Sequence, residues 1–81
     1  MKSFELSIIT PDAAIYNGKA SSLVAPSKLG YMGVLADHAP LIAKLSSGKI
    51  TIRTQEGNTS VIDSSPGGFL QVLQNQAILL L

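Results

Sequence analysis

Eighty-one residues, 46% of them apolar, suffice for one small globular domain (residues 1–81) and exclude a disordered chain. A net charge of +1, from six basic and five acidic residues with no basic run, argues against nucleic acid or an anionic membrane surface as partner. The absence of cysteine removes disulfides, thiolate metal sites and cysteine nucleophiles.

Phe4, Leu6 and Ile8 share one parity and Glu5 and Ser7 the other, the pattern of a half-buried strand stopped by Thr10-Pro11-Asp12. Ala13 to Tyr16 reads as a second strand, ended by Asn17-Gly18, a hairpin signal. A third, Ser21 to Ala25, is expected to end at Pro26. Gly30 and Gly33 then bracket Tyr31-Met32 in an expected tight turn, with positive φ at one glycine or both. A brief strand follows from Gly33 to Leu35. Pro40 biases Ala39 toward an extended conformation, so His38-Ala39-Pro40 is expected to enter the next strand as a rigid corner.

Leu41 to Leu45 opens the second half, and Ser46-Ser47-Gly48 turns it. Lys49 to Gln55 alternates most clearly, with Ile50 and Ile52 inward, and Thr59 to Ser64 returns beyond Glu56-Gly57-Asn58. After the break at Ser64 to Gly68, Phe69 to Leu73 and Ala77 to Leu81 form a last hairpin around Gln74-Asn75-Gln76. Phe69, like Phe4, falls on an inward-looking parity, and the final strand is apolar on both faces, as a strand covered on both sides would be. Turn signals every six to ten residues and no helical period indicate an all-β sandwich or barrel.

Chemistry is sparse. Asp37-His38 is the one pairing suited to acid–base work, but no serine sits in a nucleophile elbow. The plainer reading gives Asp37 a turn bond to backbone and packs His38 beside Pro40. Glu5, Asp12, Glu56 and Asp63 lack metal-ligand spacing, and no glycine pair leads into a phosphate-binding helix, so neither metal nor cofactor is expected. No lysine has the setting of a biotinyl or lipoyl carrier. Charged residues make up 14% of the chain against ~25% in typical soluble domains, so partners are expected to cover much of its surface. Tyr31 and Met32, if displayed at a turn tip, suit such an interface. No segment approaches the ~20 apolar residues of a membrane span.

Tyr16-x-Gly18, then Gly30-x-x-Gly33-Val34-Leu35-x-x-His38-Ala39-Pro40-Leu41, Gly48-x-Ile50-x-Ile52, and Gly67-Gly68-Phe69-Leu70-Gln71-Val72 with Asn75 occur in one order and spacing. Carrying them, the chain resembles the N-terminal domain of the F-type ATP synthase epsilon subunit over essentially all its length. The resemblance implies a flattened β-sandwich of about ten short strands. It implies a non-catalytic part of the central stalk that joins the gamma subunit to the c-ring and couples ion-driven rotation to ATP synthesis. Carried over by position, Ser27, Lys28, Leu29, Tyr31 and Met32 meet the c-ring, with His38 beside them, and His38, Pro40, Leu41 and Ile42 approach gamma. Many members carry an acid at the position of Tyr31, so the ring contact here is expected to be less ionic. The resemblance also implies a peripheral place on the cytoplasmic face of a bacterial inner membrane, or on a thylakoid or equivalent membrane. Typical members continue into a helical hairpin that inhibits ATP hydrolysis and sometimes binds ATP; this sequence stops at Leu81, so neither property is expected of it, nor any small-molecule ligand. The alternative reading is a β-sandwich interaction module of another complex.

Overall fold

In a computed structural model that describes residues 2–81, the chain forms nine strands and no helix, packed as two sheets within 32 × 25 × 18 Å. They are β1 (Phe4–Ile9), β2 (Ala14–Ala20), β3 (Ser22–Ser27), β4 (Gly30–Leu35), β5 (Leu41–Lys44), β6 (Gly48–Arg53), β7 (Thr59–Ser64), β8 (Phe69–Leu73) and β9 (Gln76–Leu80). One sheet has the order β2-β1-β9-β8-β5 and the other β4-β3-β6-β7. All pairings are antiparallel except β1 with β9, where the first and last strands run parallel at the centre of the larger sheet. The flattened sandwich agrees with expectation, with nine strands in place of about ten.

Alternation sets the core. Phe4, Leu6 and Ile8 of β1, Leu70 and Val72 of β8, and Ala77 and Leu79 of β9 point inward, against Leu23, Val34, Ile50 and Ile52 of the smaller sheet. Full burial of each large aliphatic side chain contributes ~1.5–3 kcal/mol before conformational entropy is subtracted.

Local expectations fail where tertiary pairing overrides turn chemistry. Asn17 and Gly18 lie inside β2, opposite Ser7 and Leu6, and the hairpin is closed instead by Thr10, whose hydroxyl accepts from the Asp12 and Ala13 amides. Pro26 lies inside β3, where that strand has run past its pairing with β6 at Ser22–Val24; its carbonyl accepts from Ser46 N–H. The β3–β4 turn falls at Lys28-Leu29, so Tyr31 and Met32 belong to β4 and not to a turn tip. Positive φ is found at Gly30 (117°) and not at Gly33.

Phe69 points outward, 41% exposed, because β8 buries the opposite parity at Leu70 and Val72. For the same reason β9 is covered on one face only: Leu79 is buried while Leu80 is 47% exposed beside Phe69 and Ile9. The apolar run of β9 reflects its central position between two strands, with its outer face left open.

Candidate functional site

Strand polarity sorts most of the candidate residues into two groups at opposite ends of the sandwich, with Ile42 on β5 bordering a hollow that it shares with Ser27, Lys28 and Leu29. One end, the turn end, carries Lys28-Leu29, the β5–β6 link at Leu45 to Ser47, and the Ser65 to Gly68 loop. The other, the corner end, carries Ala36 to Pro40, Gln74-Asn75 and the Lys2-Ser3 lead into β1. Since β4 runs from one to the other over six residues, roughly 16–17 Å of strand separates Gly30 from Leu35. His38 therefore does not lie beside the Lys28-Leu29 turn.

At the turn end, Ser27 Oγ donates to the Gly30 carbonyl (2.6 Å) and accepts from Leu29 N–H (3.3 Å), closing a two-residue turn that leaves Leu29 fully exposed. Lys28 N–H donates to the Lys44 carbonyl, which joins this turn to β5. Beneath it, Ser46 Oγ donates to the Ser27 carbonyl and Ser64 Oγ to the Ser46 carbonyl, so hydroxyls satisfy backbone groups that no ladder reaches. Gly68 is fixed by a close approach: a Cβ there would overlap the Leu80 carbonyl oxygen of β9. A hollow of about 480 Å³ opens between Lys28, Lys44, Leu45 and Gly67 to Phe69.

Of the residues expected at a ring contact, Lys28 and Leu29 project into solvent and Tyr31, 61% exposed, lies flat on the sheet. Met32 packs partly against the core. Tyr31 crosses the outer face of β3 and β6, where its hydroxyl accepts from Lys49 N–H at 3.1 Å above Pro26. Gly48 makes room for it: φ is 151°, and a Cβ would lie 2.5 Å from the tyrosine oxygen. Beside Tyr31, Lys49 Nζ donates to the Asp63 carboxylate, and this hydrogen bond, with the attraction between the charges, raises the lysine above its ordinary value of 10.5.

At the corner end, Asp37 adopts a left-handed conformation (φ 63°) and donates its N–H to Asn75 Oδ1 at 2.8 Å, while its carboxylate pairs with Lys2 at 3.0 Å. His38 Nδ1–H donates to the Ala39 carbonyl at 2.7 Å. The two side chains thus engage other groups, and no acid–base couple forms between them. Pro40 is exposed, Leu41 packs partly on the core, and Ile42, 73% exposed, borders a hollow of about 400 Å³ with Gln71 and Leu73. Among the described residues no group of three or more His, Asp and Glu is placed to hold a metal.

Nothing local in the sequence marks Asn75 as a hydrogen-bonding centre or Gly68 as a packing constraint. Both depend on partners far away in the chain. The only local signal was the turn Gln74-Asn75, whose residues take φ of 50° and 61°, conformations that asparagine tolerates better than most residues.

The family described as "ATP synthase, Delta/Epsilon chain, beta-sandwich domain" matches residues 3–81. Similar curated proteins include the chloroplastic ATP synthase epsilon chain of Tupiella akineta, 44% identical over 96% of this chain and 58% of that protein. The ATP synthase epsilon chain of Moorella thermoacetica is 42% identical over 99% and 59%, and that of Chlorobaculum tepidum 39% identical over 98% and 89%. This chain thus spans little more than half the length of the first two relatives and most of the third. A chain of the Euglena gracilis mitochondrial ATP synthase superposes with a TM-score of 0.90 at 21% identity, covering 96% of this chain and 49% of that one. At that identity the likeness speaks for the fold alone.

Proposed function

The chain belongs to the ATP synthase Delta/Epsilon chain beta-sandwich family, and from that membership we propose that it is a central-stalk subunit of an F-type ATP synthase. In this reading it joins the gamma subunit to the c-ring and helps couple hydrogen-ion-driven rotation to ATP synthesis without catalysing a reaction itself. The observation that carries the proposal is the family match over residues 3–81, which spans the Lys28-Leu29 turn and the Asp37–Pro40 corner alike.

Two features of the geometry support it. Leu29 is held fully in solvent by a hydrogen-bonded turn, a rigid presentation for contact with another protein. Pro40, the exposed Ile42 and the neighbouring hollow form a second surface, which starts at the opposite end and reaches along β5 toward the turn. We assign Ser27, Lys28, Leu29 and Tyr31 to the ring side, with Met32 supporting them from below. His38, Pro40, Leu41 and Ile42 go to the gamma side, and His38 is dropped from the ring contact because β4 separates it from the turn. Contact with gamma and ring places the protein at the membrane surface through the complex, on the cytoplasmic face in a bacterium or on a thylakoid membrane.

The test is reconstitution of an ATP synthase lacking its epsilon chain with this protein. Restored ATP synthesis under an imposed ion gradient is expected. Stable incorporation that leaves ATP hydrolysis uncoupled from ion movement would overturn the reading.

A further inference from the structure

Three segments distant in sequence meet at the corner end, and one side chain joins them. Asn75 Oδ1 accepts the Asp37 N–H (2.8 Å), Asn75 Nδ2 donates to the Ser3 carbonyl (2.9 Å), and the Asn75 carbonyl accepts the Glu5 N–H (3.1 Å). We propose that Asn75 is the positioning residue of the gamma-facing surface: by clasping the left-handed Asp37 to the start of β1, it sets the direction in which His38-Ala39-Pro40 leaves the sandwich. The inference rests on the assignment of that corner to gamma.

The physical reason lies in the connection itself. Residues 36 to 40 pass from an edge strand of one sheet to an edge strand of the other, and no ladder holds them. Asp37, in a left-handed conformation that a non-glycine residue adopts at a cost, needs an external bond to persist there. Its carboxylate is tied to Lys2, but that pair is exposed on both sides and holds weakly. The bond to half-buried Asn75 is the restraint that acts on the Asp37 backbone directly, and it comes from a side chain with few rotatable bonds. Asn75 is itself held, because the β8–β9 hairpin lies at the centre of the larger sheet. A rigid corner meets its partner without a further ordering cost; a loosened one must be ordered on binding.

The clean probe is Asn75→Gly. Glycine accepts the positive φ, so the hairpin turn is kept while both side-chain hydrogen bonds are lost. In titrations of the whole chain into purified gamma subunit, Asn75→Gly is expected to weaken binding by about tenfold, the scale of two lost hydrogen bonds. Asp37 amide exchange should accelerate by a similar factor. Asn75→Asp keeps an acceptor for the Asp37 N–H but sets a carboxylate oxygen against the Ser3 carbonyl, so it is expected to slow Asp37 exchange relative to the glycine variant while its affinity stays below wild type. Asn75→Gly that binds gamma as wild type overturns the positioning role, whatever its melting temperature, and so does an Asp37 amide that exchanges no faster in Asn75→Gly than in wild type. A folded wild-type chain that does not bind gamma overturns the assignment of the corner, and the positioning role with it.

Discussion

The two ends of the sandwich solve one problem by different means. Each must bring together links between the sheets that no ladder holds. The turn end does so with serine hydroxyls and a glycine pressed against backbone, so its restraints are short and numerous. At the corner end, one amide side chain spans three segments, assisted by an exposed ion pair. Restraint at the turn end is thus spread over several groups, and at the corner end it is concentrated in one. A substitution that loosens the first should cost global stability, whereas one that loosens the second should act mainly on local order.

The largest expected effect follows from Gly68. Gly68→Val forces a side chain into the Leu80 carbonyl and must push β8 from β9, which should cost ~3 kcal/mol or more in denaturant unfolding. Next comes Gly48→Ala, expected to cost ~1–2 kcal/mol through strained φ and displacement of the Tyr31 ring. Since the Tyr31 side chain can move, combining Gly48→Ala with Tyr31→Ala should cost less than the sum of the single changes; strict additivity in the cycle would show that the two do not interact.

Leu29→Ala removes a side chain that touches little, so stability should stay within ~0.5 kcal/mol while association with the c-ring weakens. The smallest effect belongs to Lys49. Its value is raised by Asp63, so the pair's contribution is complete at neutral pH and is lost as pH climbs through the raised value. The difference in melting temperature between wild type and Lys49→Met should accordingly shrink above pH 10.5 and stay flat between pH 6 and 9.

The same contrast explains what could be read from the sequence. Alternation placed β1 and β6 closely, because one buried face writes a period of two into the residues, and turn residues bounded β7 and β8. It could not place Asn17-Gly18 or Pro26. A hairpin dipeptide becomes strand when the neighbouring β1 offers a register for it, and a proline is tolerated where the pairing of β3 with β6 has already ended. Nor could it foresee the parallel β1–β9 pair, which joins the two ends of the chain and puts an apolar strand at the centre of a sheet with one face open. As for the candidate site, the turn and corner residues were visible as glycine and proline punctuation. Their separation was not, since it depends on β4 running as a full strand through Tyr31 and Met32, where a turn tip was expected.

The most direct measurement is a titration of this chain into purified gamma subunit, comparing wild type with Pro40→Gly at the corner and Leu29→Glu at the turn. Saturable one-to-one binding, weakened by Pro40→Gly and unchanged by Leu29→Glu, is the predicted result. Absence of binding by the folded wild-type chain at micromolar concentration, or equal weakening by both variants, would contradict the division of the molecule into a gamma end and a ring end.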